Sequence, residues 1–296
     1  MNTVVIPAHN EGQVIGRLLG QLHPAATAGE LKVLVVANGC TDDTADVAAS
    51  FGPEVRILSI PVASKQAALN TAYGTEGEFP RIYVDADVEL HGQDIRALAA
   101  ALRQPGVLAT APERVLVLSG RPWPVRWYYD VWVRLPEVRN GLWGRGVIAV
   151  NEIGQERIAA LPALLGDDLA ASLSFEPHER AIAPDARVVI HTPQTTTDLL
   201  RRRIRAVTGV AQLEQTEDAP ASTARTKTSD LAAMIRREPR MAPRVALFLS
   251  MAVLARLMAR RAVRRGDYST WLRDESSRRP AATAIASRGP HDLTRQ

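Results

Sequence analysis

The apolar run Arg81-Ile82-Tyr83-Val84 stops at Asp85-Ala86-Asp87. Side chains two apart on a strand share a face, and a turn at the strand end converges them on one ligand. Two carboxylates that close repel each other unless a cation sits between or beside them. A hard divalent ion, Mg2+ or Mn2+, suits one or two carboxylates together with a substrate diphosphate. An isolated D-x-D also serves as solvated loop acids or as a helix cap. Its place directly after a continuous apolar strand favours chemistry.

Other polar clusters follow other apolar runs. Pro7-Ala8-His9-Asn10-Glu11 follows the first, and Asn38-Gly39-Cys40-Thr41-Asp42-Asp43-Thr44 follows the second. Both also read as turn and helix-capping chemistry. Lys65 stands in the first turn of a helix that runs through Asn70, where the helix dipole disfavours a cation. That misfit points to an anionic partner. Later in the chain, Gly166-Asp167-Asp168 places two acids at a helix start.

The elements that must position these residues alternate. Apolar runs at Thr3–Pro7, Lys32–Ala37, Val55–Ser59 and Arg81–Asp85 are predicted strands. Between them lie helical patterns: one from Asn10-Glu11 to about Leu22, one opened by Thr41, and one capped by Ser64 and ending at Tyr73. A fourth follows near Asp94–Arg103. Continuous apolar strands alternating with amphipathic helices imply an α/β fold, a mostly parallel sheet with helices on both faces. Ligands of such sheets bind beyond the carboxyl ends of the strands, and the polar clusters fall there. After residue 105 the pattern loosens. Short strands near Leu108–Ala111 and Val147–Val150 flank an aromatic segment, Trp123–Trp132, and a Gly-rich turn, Gly141–Gly146. Residues 179–190 read as two short strands, 197–215 as a basic helix, and 214–228 as a linker.

These motifs resemble those of family-2 glycosyltransferases, inverting enzymes with the A-type nucleotide-sugar-binding fold. The matching stretches are V4-V-I-P-A-H-N-E11, V36-A-N-G-C-T-D-D-T44, K65-Q-A-A-L-N70, V84-D-A-D-V88 and G166-D-D168. The resemblance covers about residues 1–215. It implies that Pro7, Asn10, Glu11, Asn38, Lys65, Asp85 and Ala86 form the nucleotide-sugar site, with a UDP-sugar favoured. It implies that Asp87, with Asp85, holds a divalent metal, Mg2+ or Mn2+, on the diphosphate, and that Asp168 is the general base. The acceptor hydroxyl would attack the anomeric carbon from the face opposite the nucleotide, with inversion. Asp167, Trp143, Arg145, Arg203 and Arg205 are weaker candidates for acceptor or phosphate contacts. Three positions depart from the commonest family pattern: Asn38 stands for aspartate, Cys40 for serine, and Asp167-Asp168 for Glu-Asp. An amide both donates and accepts, so Asn38 leaves the nucleobase open.

Charge divides the chain. Residues 1–200 carry 16 Lys/Arg against 23 Asp/Glu, whereas residues 201–296 carry 20 against 9. A basic C-terminal third suits phosphates or an anionic membrane. No nucleic-acid recognition motif accompanies it. The run Val245–Ala255 between Arg244 and Arg256 is too short to span a bilayer. Continued to Arg265, it reads as a basic amphipathic helix that either lies at a membrane interface or packs on the core. The expected organisation is a catalytic domain over 1–215, with a donor half 1–105 and an acceptor half 106–215. A linker and helical extension over 216–276 and a disordered tail over 277–296 follow. A single cysteine permits no internal disulfide, and the N-terminus reads as a strand rather than a signal peptide. Both fit a cytoplasmic enzyme, peripheral at the inner membrane face, that adds a sugar to a saccharide or lipid-linked acceptor in polysaccharide or glycolipid assembly. A sugar-phosphate nucleotidyltransferase is the rival reading, but it should show a Gly-rich basic loop after the first strand. A non-catalytic saccharide- or membrane-binding protein is the other. It should lack an acid of the set Asp85, Asp87 and Asp168.

Overall fold

The computed structural model describes residues 1–75, 77–161, 167–213 and 226–264. Four strand–helix units come first: β1 (Asn2–Ala8), α1 (Gly12–Thr27), β2 (Leu31–Asn38), α2 (Thr44–Ala49), β3 (Val55–Ile60), α3 (Lys65–Tyr73), β4 (Arg81–Val84) and α4 (Gly92–Ala101). Then come β5 (Ala109–Val117), α5 (Trp123–Trp132), α6 (Pro136–Asn140), β6 (Val147–Val150), α7 (Glu152–Ala159), α8 (Asp167–Leu173) and β7 (Arg180–His191). Helices α9 (Thr196–Leu213), α10 (Thr228–Arg237) and α11 (Ala242–Arg264) complete the described chain.

The seven strands form one sheet in the order β3-β2-β1-β4-β6-β5-β7. β1 pairs in parallel with β2 and β4, and β2 with β3, while β6 runs antiparallel between β4 and β5. The strand order reverses at β1: β2 and β3 lie on one side of it and β4 on the other. That reversal opens a crevice at the carboxyl ends of β1 and β4, where ligands of open α/β sheets bind.

Continuous burial explains the central strands. Val4, Val5 and Ile6 of β1 and Val35 and Val36 of β2 are each fully buried, as strands covered on both faces must be. One core joins α1 and α4 to one face of the sheet through Ile15, Leu18, Leu22, Ile95 and Leu98. Another lies on the opposite face, under α3, around Val5, Val36, Ala68 and Ala72. A third is separate from the sheet centre. It gathers Tyr128, Tyr129 and Trp132 of α5 with Leu199, Leu231, Val245, Phe248 and Met251. Tyr128 and Phe248 stack there with ring centroids 5.0 Å apart, a contact worth about 0.5–1.5 kcal/mol beyond its buried area. The aromatic segment is thus a helix that docks α9, α10 and α11.

Several boundaries differ from the sequence reading. The helix expected at Thr41 opens at Thr44, because Asp42 Oδ1 accepts hydrogen bonds from the Thr44 backbone N–H and hydroxyl and holds the preceding residues in a turn. α1 runs to Thr27 rather than Leu22, with Pro24 inside it. Residues 180–191 form one strand, not two. Its register against β5 jumps from Pro112↔Ala183 to Glu113↔Arg187, so Pro184–Ala186 bulge out of the ladder. β5 continues to Val117 rather than ending at Ala111, which builds a β5–β7 ribbon beyond β6. The stretch expected as a linker to residue 228 gives way to α10 at Thr228. Residues 214–225, and the tail expected to be disordered, lie outside the described residues.

Candidate active site

Ser64 caps α3, its hydroxyl accepting from the Ala67 N–H at 3.2 Å. The cap sets the first turn so that Lys65 Nζ donates to Asp85 Oδ1 at 2.8 Å, just past β4. The lysine's anionic partner, inferred from its place in the first turn, therefore includes a side chain of the protein itself. The Asp85 backbone N–H donates to Gly146 O at 2.8 Å, which ties the acidic turn to the end of the Gly141–Gly146 loop. Gly146 has φ +68°, and a Cβ there would lie 2.7 Å from Val88 Cγ1 and 3.3 Å from Asp85 Oδ2. Only glycine fits that contact without displacement. Ala86 is 3% exposed and packed in the main core, so its side chain anchors the turn between the two half-buried aspartates. From α1, Arg17 Nη2 donates to the Asp87 carbonyl at 2.8 Å.

Pro7, Lys65, Asp85, Gly146 and Asp168 line one cavity in the crevice between β1 and β4. Asp168, on α8, is exposed, and its carboxylate accepts from the N–H groups of Gly144 and Leu169, each at 2.9 Å. Asp85 and Asp168, 83 positions apart in sequence, thus face the same space. Asn70 and Gln66 of α3 and Tyr83 of β4 join the lining. The Tyr83 hydroxyl donates to Gln155 Oε1, and burial pushes the phenol pKa up despite nearby Arg81 and that hydrogen bond.

The other expected donor-site residues form a hydrogen-bonded base at the ends of β1 and β2. Asn38 is 2% exposed and its Nδ2 donates to Ala8 O at 2.9 Å, while its Oδ1 is buried without a partner. Asn10 adopts φ +52°, and its Oδ1 accepts from the Thr41 N–H at 2.8 Å. Glu11 is buried as the N-cap of α1, its N–H donating to Thr44 Oγ1 at 2.8 Å. Gly39, at φ +57°, lets this loop lie against Ala63, whose backbone would be 2.6 Å from an added Cβ. Asp42 is set by competing effects. Burial works to raise its pKa, but hydrogen bonds from Thr44 and from the Gly12 N–H hold it below 3.8.

The weaker candidates separate. Trp143 is half-buried between Trp132 and the Leu169–Ala170 patch, and it fastens the loop to α8. Arg145 is 1% exposed, and the carbonyls of Gly141, Pro112 and Arg139 take its donors at 3.1, 2.7 and 2.8 Å. Expected as an acceptor or phosphate contact, its guanidinium is instead taken up by these three carbonyls, which makes it a strut of the loop in this geometry. Arg203 lies over the Tyr128 ring at 5.7 Å, and Arg205 is half-buried on the same helix. Nothing is described of the Asp167 side chain. Sequence reasoning missed Gly146 and Arg17, whose importance comes from contacts made across the fold.

Among the described residues, no three His, Cys, Asp or Glu side chains converge as a protein-only metal cage. Two hard carboxylates on one turn suit a cation whose other ligands are water and phosphate oxygens. A crevice at the reversal of a parallel sheet, a lysine-held acidic turn and a separate exposed acid in the same cavity are what the A-type glycosyltransferase fold leads one to expect. The glycosyl transferase family 2 model matches residues 3–150, half of the chain, and the protein belongs to that family. It is similar to uncharacterized glycosyltransferases of Mycobacterium tuberculosis and Mycobacterium bovis, each 32% identical over 191 residues that cover 63% of this chain and 81% of the relative. Among solved structures, a mannosyltransferase from Pyrobaculum calidifontis in complex with GDP-Man and Mn2+ superposes with a TM-score of 0.57, at 22% identity over 88% of this chain and 79% of its own. Glucosyl-3-phosphoglycerate synthase from Mycobacterium tuberculosis, in complex with Mn2+, UDP and glucosyl-3-phosphoglycerate, gives 0.54, at 19% identity over 72% and 79%. At these identities the likeness is one of fold.

Proposed function

We propose that the protein is an inverting, metal-dependent glycosyltransferase that takes its sugar from a nucleotide diphosphate sugar. The placement of Lys65, Asp85 and Asp168 around one cavity carries this reading. Asp85 and Asp87 would hold Mg2+ or Mn2+, which supplies charge stabilisation to the diphosphate. Lys65 adds a positive charge fixed beside that site before substrate arrives. Asp168 accepts the acceptor hydroxyl's proton, its carboxylate oriented by the Gly144 and Leu169 N–H groups. Asn10, Glu11 and Asn38 support the nucleoside end from the ends of β1 and β2. In this reading residues 1–105 bind the donor and 106–215 the acceptor.

In this reading the helical extension lies at a membrane, and the surface of α11 supports it. α11 buries Val245, Phe248, Met251, Ala252, Ala255 and Ala259 against α5 and α9, and exposes Leu249, Val253, Leu254, Leu257 and Met258. Residues Pro239–Arg260 are long and apolar enough to cross a bilayer by length and composition alone. One face of the helix is committed to protein, however, and on the other exposed Arg256 lies within the apolar stripe and Arg260 at its end. That pattern suits a helix lying in the headgroup region of an anionic cytoplasmic leaflet, with a saccharide or lipid-linked acceptor in glycolipid or polysaccharide assembly.

The test is a calorimetric titration of UDP, GDP, dTDP and CMP, with and without Mn2+, on wild type and Asp87→Ala. Metal-dependent binding of one nucleotide, lost in the variant, is expected. A folded wild type that binds none of them overturns the donor reading.

A further inference from the structure

A second cleft, about 930 Å³ in volume, opens between α5, the β5 ribbon, the 138–145 loop and the start of α11. Five arginines line it, Arg114, Arg126, Arg139, Arg145 and Arg244, against two acids, Glu113 and Asp130. The acids are already committed. Asp130 pairs with Arg134 and Arg244, and Glu113 lies 3.7 Å from Arg145. Arg126 and Arg139 are exposed and have no side-chain partner among the described residues. Arg114 donates through Nη2 to the Val138 and Trp143 carbonyls and lies over the Trp132 ring at 4.8 Å, but its buried Nη1 has no hydrogen-bond partner among the described residues.

A concave wall with this surplus of guanidinium groups focuses a positive field. Guanidinium forks match phosphate oxygens better than they match water or a lone carbonyl. The charges inside the cleft are also under stress. Burial, and then the neighbouring charge of Arg145, push the Arg114 pKa down to about 9, and burial pushes that of Arg145 to about 10. A bound anion relieves both effects.

The cleft shares a wall with the donor cavity. Leu142 and Gly146 line the cavity, and Arg145 lines the cleft. Between them, the Gly144 N–H holds Asp168, and a Cβ on Gly144 would lie 4.0 Å from Arg114 Nη1. The buried, unpartnered donor therefore sits behind the loop that orients the proposed base.

We propose that this cleft binds a phosphate group carried by the acceptor, so that the enzyme glycosylates a phosphate-bearing acceptor. This rests on the glycosyltransferase reading, although phosphate binding itself is testable without it. Phosphate anchored by Arg126 and Arg139, with the charge of Arg114 behind them, leaves the acceptor hydroxyl to reach round the Leu142–Gly146 loop toward Asp168. The phosphate belongs either to a soluble ester or to a lipid headgroup.

The experiment uses the full chain in EDTA, so that no divalent metal assists binding at Asp85 and Asp87. Glycerol 3-phosphate is titrated into wild type, Arg126→Glu/Arg139→Glu and Asp87→Ala, with glycerol as the uncharged control. In parallel, vesicles containing phosphatidylglycerol are compared with pure phosphatidylcholine vesicles. Both charge-reversal sites are exposed and unpartnered, so the double variant should fold like wild type. The expected result is saturable binding of glycerol 3-phosphate, weakened about tenfold or more in the double variant and unchanged in Asp87→Ala. If binding appears only on phosphatidylglycerol vesicles and is lost in the double variant, the phosphate is a lipid headgroup. Absence of binding in both forms overturns the proposal, as does glycerol 3-phosphate binding that the double variant leaves intact, or vesicle binding alone that the double variant leaves intact. Loss in Asp87→Ala instead would place the phosphate in the donor cavity and also overturn it. Failure of the donor reading shows separately, in the nucleotide titration.

Discussion

Lys65 Nζ lies 2.8 Å from Asp85 Oδ1, joining the first turn of α3 to the acidic turn after β4. The two side chains are 31% and 40% exposed. A pair so open to water contributes at most about 1 kcal/mol to stability. In the proposed reaction it would hold a positive charge where a diphosphate departs. Lys65→Met is expected to lower kcat/KM about 10²-fold with little change in urea unfolding. A loss of several kcal/mol in unfolding free energy would make Lys65 a structural strut instead.

Asp168→Asn separates chemistry from architecture. The amide oxygen can still accept from the Gly144 N–H, which keeps the loop's tie to α8, while the Leu169 N–H loses its side-chain acceptor. The proposed proton acceptor is gone, and kcat should fall by about 10²–10⁴ while nucleotide affinity stays unchanged. Wild-type turnover in the variant would remove Asp168 from the mechanism.

Gly146→Ala tests the contact between loop and acidic turn. A side chain there meets Val88 and occupies a left-handed conformation, at a cost of about 1–3 kcal/mol. Denaturant unfolding should show that loss, accompanied by weaker nucleotide binding because Asp85 moves. Wild-type stability in the variant would mean that the loop shifts freely.

Asp42 gives a pH dependence with a definite sign. Its folded pKa is held below 3.8, so the folded state binds the proton less readily than the unfolded chain does. The stability it contributes is complete above pH 3.8 and is lost as pH falls through the folded value. Asp42→Asn should therefore unfold more easily than wild type at pH 7, with the gap closing toward pH 2. A gap that persists in acid would assign the effect to side-chain shape rather than charge.

Val253→Glu/Leu257→Glu places two acids on the exposed stripe of α11. Wild type is expected to co-sediment with phosphatidylglycerol vesicles, less so at high salt, and the double variant to remain in solution. Equal sedimentation of the two proteins would leave the stripe without a membrane role.

The first four strands and the residues at their ends were legible because parallel sheets impose a simple rule. Their strands are continuous apolar runs, and their ligand residues gather where those runs end. Asp85 and Lys65 could be found that way, and each lines the cavity. Asp168 needed the family resemblance, since two acids at a helix start are equally a cap. Gly146 was hidden because its contact with Asp85 spans 61 positions and depends on β6 returning antiparallel beside β4. Arg145 looked like a ligand contact because flanking glycines suggested an open loop. The backbone carbonyls that bury it cannot be seen in sequence. α10 went unread because Leu231, Met234 and Ile235, which face the aromatic core, follow a Ser/Thr/Ala-rich stretch that reads as a linker.

The pairing of β5 with β7 has a consequence for how the chain acquires its shape. Every parallel pair among β1 to β4 closes within the first 84 residues. The β5–β7 ribbon joins residues 109–117 to 180–191 and must wait for the intervening chain. Long-range closure of that kind is slow, and domains synthesised from the N-terminus organise in that order. The β1–β4 part of the sheet should be structured on the ribosome before the ribbon exists, and the aromatic core under α11 should assemble last. A ribosome-stalled chain ending after α4 should already resist protease at β1 and β2, whereas α5 should stay cleavable until α11 has emerged.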